Sequence, residues 1–128
     1  MSFFTAINCM DGRTQLPVNE YLRERFAVRY VDTVTEPGPV KILASREPEA
    51  LFDSILSRVR ISLEHHGSKG VALVTHHDCA GNPSSRDEQM RQARKAIDNL
   101  SKHLPGITIL PLWVDEQWRC TEAVLAPS

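Results

Sequence analysis

The sequence predicts an α/β fold: a three-layer, mostly parallel sheet in the order 2-1-3-4, with a candidate extra edge strand and helices on both faces. Three observations lead there. Apolar, strand-type runs recur at residues 3–7, 27–34, 70–75 and 107–114. The stretches between them carry apolar residues at helical spacing, and turn or capping residues separate the two patterns. Alternation of this kind buries a parallel sheet between helices, with right-handed crossovers.

The first strand, "FFTAI", ends at Asn8-Cys9. After Pro17, a good early-helix residue, Val18, Tyr21, Leu22 and Phe26 fall on one helical face. "AVRYVDTV" is β-branched and alternating enough for the second strand, and "TEPGPVK" breaks it. From about Glu47, Leu51, Phe52, Ile55, Leu56, Val59 and Leu63 trace one face of a long helix ending near Gly67. "GVALVT" is the third strand. Ser85-Arg86-Asp87-Glu88 has the form of a capping box, and Met90, Ala93, Ile97, Leu100 and Leu104 follow it at helical steps up to Gly106. The fourth strand runs to Val114, and "QWRCTEAV" supplies the candidate edge strand.

At 128 residues the chain is read as one domain, 1–128; a domain of this size buries roughly two-thirds of its unfolded surface. Hydrophobic residues at 41% and charged residues at 24% are ordinary globular values, which argues against disorder. The formal charge of −1 and the absence of a long Lys/Arg run argue against a nucleic-acid or membrane-surface partner. No stretch approaches the roughly 18 apolar residues of a membrane span, and "MSFFTAINCMDGR" lacks the form of a secretory signal. A cytoplasmic location is therefore the expectation, and there three cysteines are thiols or metal ligands rather than bridges.

In open parallel sheets, ligands bind beyond the carboxyl ends of the strands where the order reverses. For 2-1-3-4 that point lies between strands one and three, so "CMDGR" at 9–13 and "THHDC" at 75–79 should be neighbours. Two thiols, Cys9 and Cys79, then meet an imidazole. His76, three residues before Cys79, is the better placed of the two histidines. Two thiolates and a neutral nitrogen suit Zn²⁺, with a fourth position for water or a carboxylate. Asp11 and Arg13, two apart on the same loop, can pair so that the carboxylate accepts a hydrogen bond from metal-bound water.

Cys-x-Asp-x-Arg at 9–13 with His-x-x-Cys at 76–79 resembles the β-class carbonic anhydrases, and the likeness extends through Phe26-Ala27-Val28-Arg29 and the helix leading into "GVALVTHHDC". The resemblance implies zinc held by Cys9, His76 and Cys79, an Asp11–Arg13 catalytic dyad, and hydration of carbon dioxide to bicarbonate by a zinc-bound hydroxide. Carbonyl sulfide and carbon disulfide are related small electrophiles. It also implies a homodimer or higher homo-oligomer. Two stretches depart from the family pattern: Arg29-Tyr30-Val31-Asp32-Thr33 replaces Arg-Asn-Ala-Gly-Asn in a segment expected to shape the pocket, and Ala80 separates Cys79 from Gly81.

Other readings compete. Asp11 can close the fourth position, leaving a zinc-stabilised binding or regulatory domain without hydratase activity. Two convergent thiols can also pair oxidatively when metal is lost. Singly, each residue has a plainer role: a cysteine after a strand is often a small hydrophobe, and an Asp–Arg pair on a loop is often a solvated ion pair. Cys120 is assigned to structure, Trp113 and Trp118 to the core, and His65, His66 and His103 to surface helix ends. His77 and Asp78 stand between a site role and a turn role.

Overall fold

The computed structural model describes residues 2–125. In chain order the elements are β1 (Phe3–Cys9), a 3₁₀ turn (Gly12–Thr14), α1 (Gln15–Phe26), β2 (Tyr30–Glu36), α2 (Pro39–Ser45), α3 (Glu49–His65), β3 (Val71–His76), α4 (Arg86–Ser101), β4 (Ile109–Val114) and β5 (Cys120–Glu122). They form one five-stranded sheet in the order β2-β1-β3-β4-β5. The first four strands are parallel and β5 returns antiparallel on β4. The predicted order and the extra edge strand are both present.

Helices cover both faces. On one, Ile7, Val34 and Leu73 of the sheet pack with Leu43, Phe52, Ile55 and Ala93 of α2, α3 and α4. On the other, Phe4, Ala6, Ala72 and Leu112 pack against Val18 and Leu22 of α1. Fully burying side chains such as Phe52 and Leu22 stabilises the fold by roughly 1.5–3 kcal/mol each. β3 is buried along its whole length, as a strand flanked by β1 and β4 and covered on both faces must be.

Two local expectations are corrected. The second strand begins at Tyr30 rather than Ala27, because Ala27 turns left-handed (φ 51°) to end α1 and Val28 is spent on the core. The strand then runs to Glu36, with Phe3 opposite Tyr30 and Cys9 opposite Glu36. Arg29–Thr33 therefore lies at the end of the sheet opposite Cys9 and does not shape the site there. The second correction is α2. "PGPVK" punctuates the chain but also starts a helix, with Pro39 in its first turn and left-handed Gly38 (φ 63°) as its N-cap.

The cap at Ser85 is half of the expected box: its hydroxyl accepts from Glu88 N at 3.1 Å, while the Glu88 carboxylate pairs with Arg91. His65 is exposed as expected. His66 is more engaged than a bare helix end, bonding Asp32 through Nδ1 at 2.6 Å and stacking on Phe3. His103 is half-buried, edge-on to Phe52.

Candidate metal centre

β1 and β3 are adjacent and parallel, so both deliver their carboxyl ends to the same rim of the sheet. Cys9 is the last residue of β1, His76 the last of β3, and Cys79 closes the turn beyond it. One ligand atom from each of these three buried residues lies within 4.8 Å of the other two. The Cys9 and Cys79 sulfurs are 3.9 Å apart and both are free thiols.

This arrangement passes three tests for zinc. With Zn–S bonds of about 2.3 Å, tetrahedral geometry sets two sulfurs about 3.8 Å apart, close to the separation present. His76 Nδ1 bonds the carbonyl oxygen of His77 at 2.7 Å, which leaves Nε2 as the nitrogen that could ligate a metal. Nε2 itself is buried with no hydrogen-bond partner, a costly state for a neutral interior and a natural one for a ligand.

The thiol chemistry agrees. Hydrogen bonding with Cys79, foremost, and with the N–H groups of Gly38 and Asp11 lowers the Cys9 thiol well below its ordinary range against the opposing effect of burial. Cys79 is pushed upward by sharing a proton with Cys9 and by burial. Two buried sulfurs this close resist ionising together, and a cation held between them would favour the dithiolate by displacing the proton they share.

The supporting structure comes from distant segments. Buried Gln89 of α4 clasps the His76 backbone, accepting from its N–H at 3.2 Å and donating to its carbonyl at 2.9 Å. Gln15 of α1 donates to the carbonyls of Cys9 (2.7 Å) and Asp11 (2.9 Å), fixing the loop after β1. His77 is exposed, and its contribution is its backbone: its N–H donates to Val114 O and its carbonyl holds His76. Glutamines on amphipathic helices give no local sign of such work.

Gly38 approaches Cys9 Sγ with its N–H at 3.5 Å. A Cβ there would sit 2.7 Å from Asn82 Cβ and 2.8 Å from the Gly81 carbonyl carbon, at φ 63°. Gly38→Ala is therefore expected to cost at least about 1–3 kcal/mol of folding stability and to weaken metal binding, measured by urea unfolding with and without zinc.

Asp11 lies outside the three-ligand cluster. Its carboxylate accepts from Arg13 Nη2 at 2.7 Å, from Nε at 3.1 and 3.3 Å, and from the Arg13 backbone N–H at 2.9 Å. Arg13 reaches on to Asp78, whose carboxylate and carbonyl accept at 3.4 and 3.3 Å. Asp78 takes a left-handed φ of 57°, which Asp tolerates.

The Arg13 side chain, foremost, holds the Asp11 carboxyl down to about 2 from an ordinary 3.8. A depressed carboxyl stabilises the folded chain above its unfolded pKa and loses that contribution as pH falls from about 4 to about 2. In a carboxyl ¹³C titration, the Asp11 midpoint should lie near 2 in the native chain and move toward 3.8 in Arg13→Ala.

Trp113 is in the core as expected, 8% exposed. Trp118 meets the core at its edge, partly buried against the cluster around Phe4, Val18 and Leu112, and it also lies 4.1 Å from the Arg13 guanidinium and 6.5 and 6.3 Å from the His76 and His77 rings. Cys120, half-buried in β5, has its thiol pushed up to about 12 by burial, consistent with a structural role.

Fold and site together describe an α/β chain with a Cys-His-Cys centre at the switch point of its sheet. A family model described as "Putative carbonic anhydrase" matches residues 1–124, and the chain belongs to that family. Among solved structures, it is similar to a chain from work on two tetrameric β-carbonic anhydrases of the filamentous ascomycete Sordaria macrospora, at 13% identity, TM-score 0.50, and coverage of 98% of this chain and 82% of that one. It is also similar to the β-carbonic anhydrase CafA of the fungal pathogen Aspergillus fumigatus, at 11% identity, TM-score 0.50, and coverage of 98% and 76%. At these identities the likeness is one of fold. No curated protein matches in sequence.

Proposed function

We propose that this chain is a zinc-dependent carbonate dehydratase that interconverts carbon dioxide and bicarbonate, with carbonyl sulfide and carbon disulfide as related small electrophiles. The observation that carries the reading is the convergence of Cys9, His76 and Cys79 while Asp11 stays with Arg13, outside their cluster. Zinc in such a site lowers the pKa of bound water to about 7 and so supplies a nucleophile near neutrality. Cys9, His76 and Cys79 would hold the ion. Asp11, ionised throughout the neutral range, would accept a hydrogen bond from a group bearing a proton beside the three ligands. Arg13 keeps that carboxylate ionised and turned aside.

In the alternative, a binding module closed by Asp11, the carboxylate must loosen from three Arg13 donors, the backbone N–H, Nε and Nη2. Stopped-flow carbon dioxide hydration on the zinc-loaded chain separates the two. Activity that disappears in Cys79→Ser supports the enzyme; no activity at any pH supports the closed module.

Assembly with further copies of the chain is part of the proposal. The Sordaria macrospora enzymes are tetrameric. Here β2 has β1 on one side and no strand on the other among the described residues, and Tyr30 on it is 42% exposed. Light scattering should give a dimer or larger; a monomer at micromolar concentration contradicts this. A reducing, cytoplasmic setting suits the free thiols.

A further inference from the structure

We propose that Trp118 is a positioning residue that clamps Arg13 and thereby keeps Asp11 away from the metal ligands, a role that rests on the functional reading above. An Asp–Arg pair on an open loop holds its geometry weakly, and the Arg13 side chain is 45% exposed. Its plane is fixed at the edges by Asp11 and Asp78, which accept from Nε, Nη1 and Nη2. Those bonds leave the flat face free, and the guanidinium carbon lies over the Trp118 ring, 4.1 Å from its centroid. A guanidinium gripped at its edges and on a face is pre-organised, and Arg over Trp is the strongest pairing of this type.

The backbone at Trp118 is built for this placement. Its φ is 59°, in the left-handed region where a bulky residue is an outlier. The turn between β4 and β5 enforces it: the Asp115 carboxylate accepts from the N–H groups of Gln117 (2.9 Å) and Arg119 (3.0 Å). The Asp115 carbonyl accepts from Trp118 N, and Asp115 N donates to Arg119 O. Held by these bonds, the turn sets one side of the Trp118 ring against the core and lays the ring beside a site residue. Three segments distant in sequence, after β1, after β3 and after β4, meet on Arg13.

Without the ring, Arg13 loses one restraint and Asp11 becomes free to compete for the fourth metal position. The test uses cobalt(II)-loaded protein, with azide binding read from the visible spectrum. Trp118→Leu should weaken azide binding about tenfold, the order of a partly desolvated cation–π contact, and Trp118→Phe should stay within about twofold of wild type because a ring remains. Adding Asp11→Asn to Trp118→Leu should restore azide binding, which it would not do if Trp118→Leu caused a general structural defect.

A second readout needs no metal: the Arg13 Nε–H resonance should lose its ring-current shift and its order in Trp118→Leu. Azide binding unchanged in Trp118→Leu, failure of Asp11→Asn to restore it, or an Arg13 resonance as ordered as in wild type overturns the clamp. If the wild-type chain takes up no cobalt, the metal reading fails, and the Arg13 resonance still decides whether the clamp exists.

Discussion

Cys79→Ser is expected to weaken zinc binding by well over about a hundredfold, because loss of a supporting outer partner alone costs about 10–100-fold. Cys79 supplies one of two buried sulfurs set 3.9 Å apart, and a serine hydroxyl neither ionises near neutral pH nor offers a soft donor. The fold should survive. The turn at Cys79 is tied by its carbonyl accepting from Asn82 N–H, and the two principal core clusters draw on other residues. A competition titration against a chromophoric chelator, with circular dichroism as the folding control, measures the effect. Zinc binding equal to wild type would remove Cys79 from the ligand set.

Asp11→Asn is expected to lower the hydration rate constant by about 10²–10⁴-fold, the range for a positioned proton-transfer group, while zinc content stays at the wild-type level. Asn keeps an acceptor for the Arg13 backbone N–H, so the turn after β1 persists. It loses the charge that draws the guanidinium, and its amide nitrogen cannot accept. Since Arg13 holds Asp11 down to about 2, the carboxylate is fully ionised in the working range. Its titration therefore does not set the acid limb of a rate profile measured above pH 5. Metal analysis beside stopped-flow kinetics checks both halves, and loss of zinc in this variant would make Asp11 a ligand instead.

Much of the site was legible because parallel α/β topology is nearly deterministic about where strand ends meet. Once residues 3–7 and 70–75 are read as neighbouring strands, Cys9 and His76 must share a rim, and the chemistry of Cys, His and Cys suits a metal. What stayed hidden was set by long-range packing. Ala27 and Val28 look like strand residues, yet one closes a helix and the other fills the core, moving the start of β2 by three residues. The seven-residue α2 is too short for periodicity to reveal and begins inside a turn signal.

Trp118 reads as an ordinary apolar residue until the β4–β5 turn swings it over Arg13. Gln15 and Gln89 act through backbone carbonyls six and thirteen positions away, contacts that side-chain identity does not announce. The departures at Arg29–Thr33 also lose their force, since that segment occupies the far end of β2 while Gly38 is the residue beyond β2 that reaches Cys9.

Zinc K-edge X-ray absorption on the loaded chain tests the centre most directly. The expected first shell is two sulfurs at about 2.3 Å, one imidazole nitrogen at about 2.0–2.1 Å and one oxygen at a similar distance. A shell with one sulfur or none, or a chain that retains no zinc after gel filtration, would contradict a metal centre built from Cys9, His76 and Cys79.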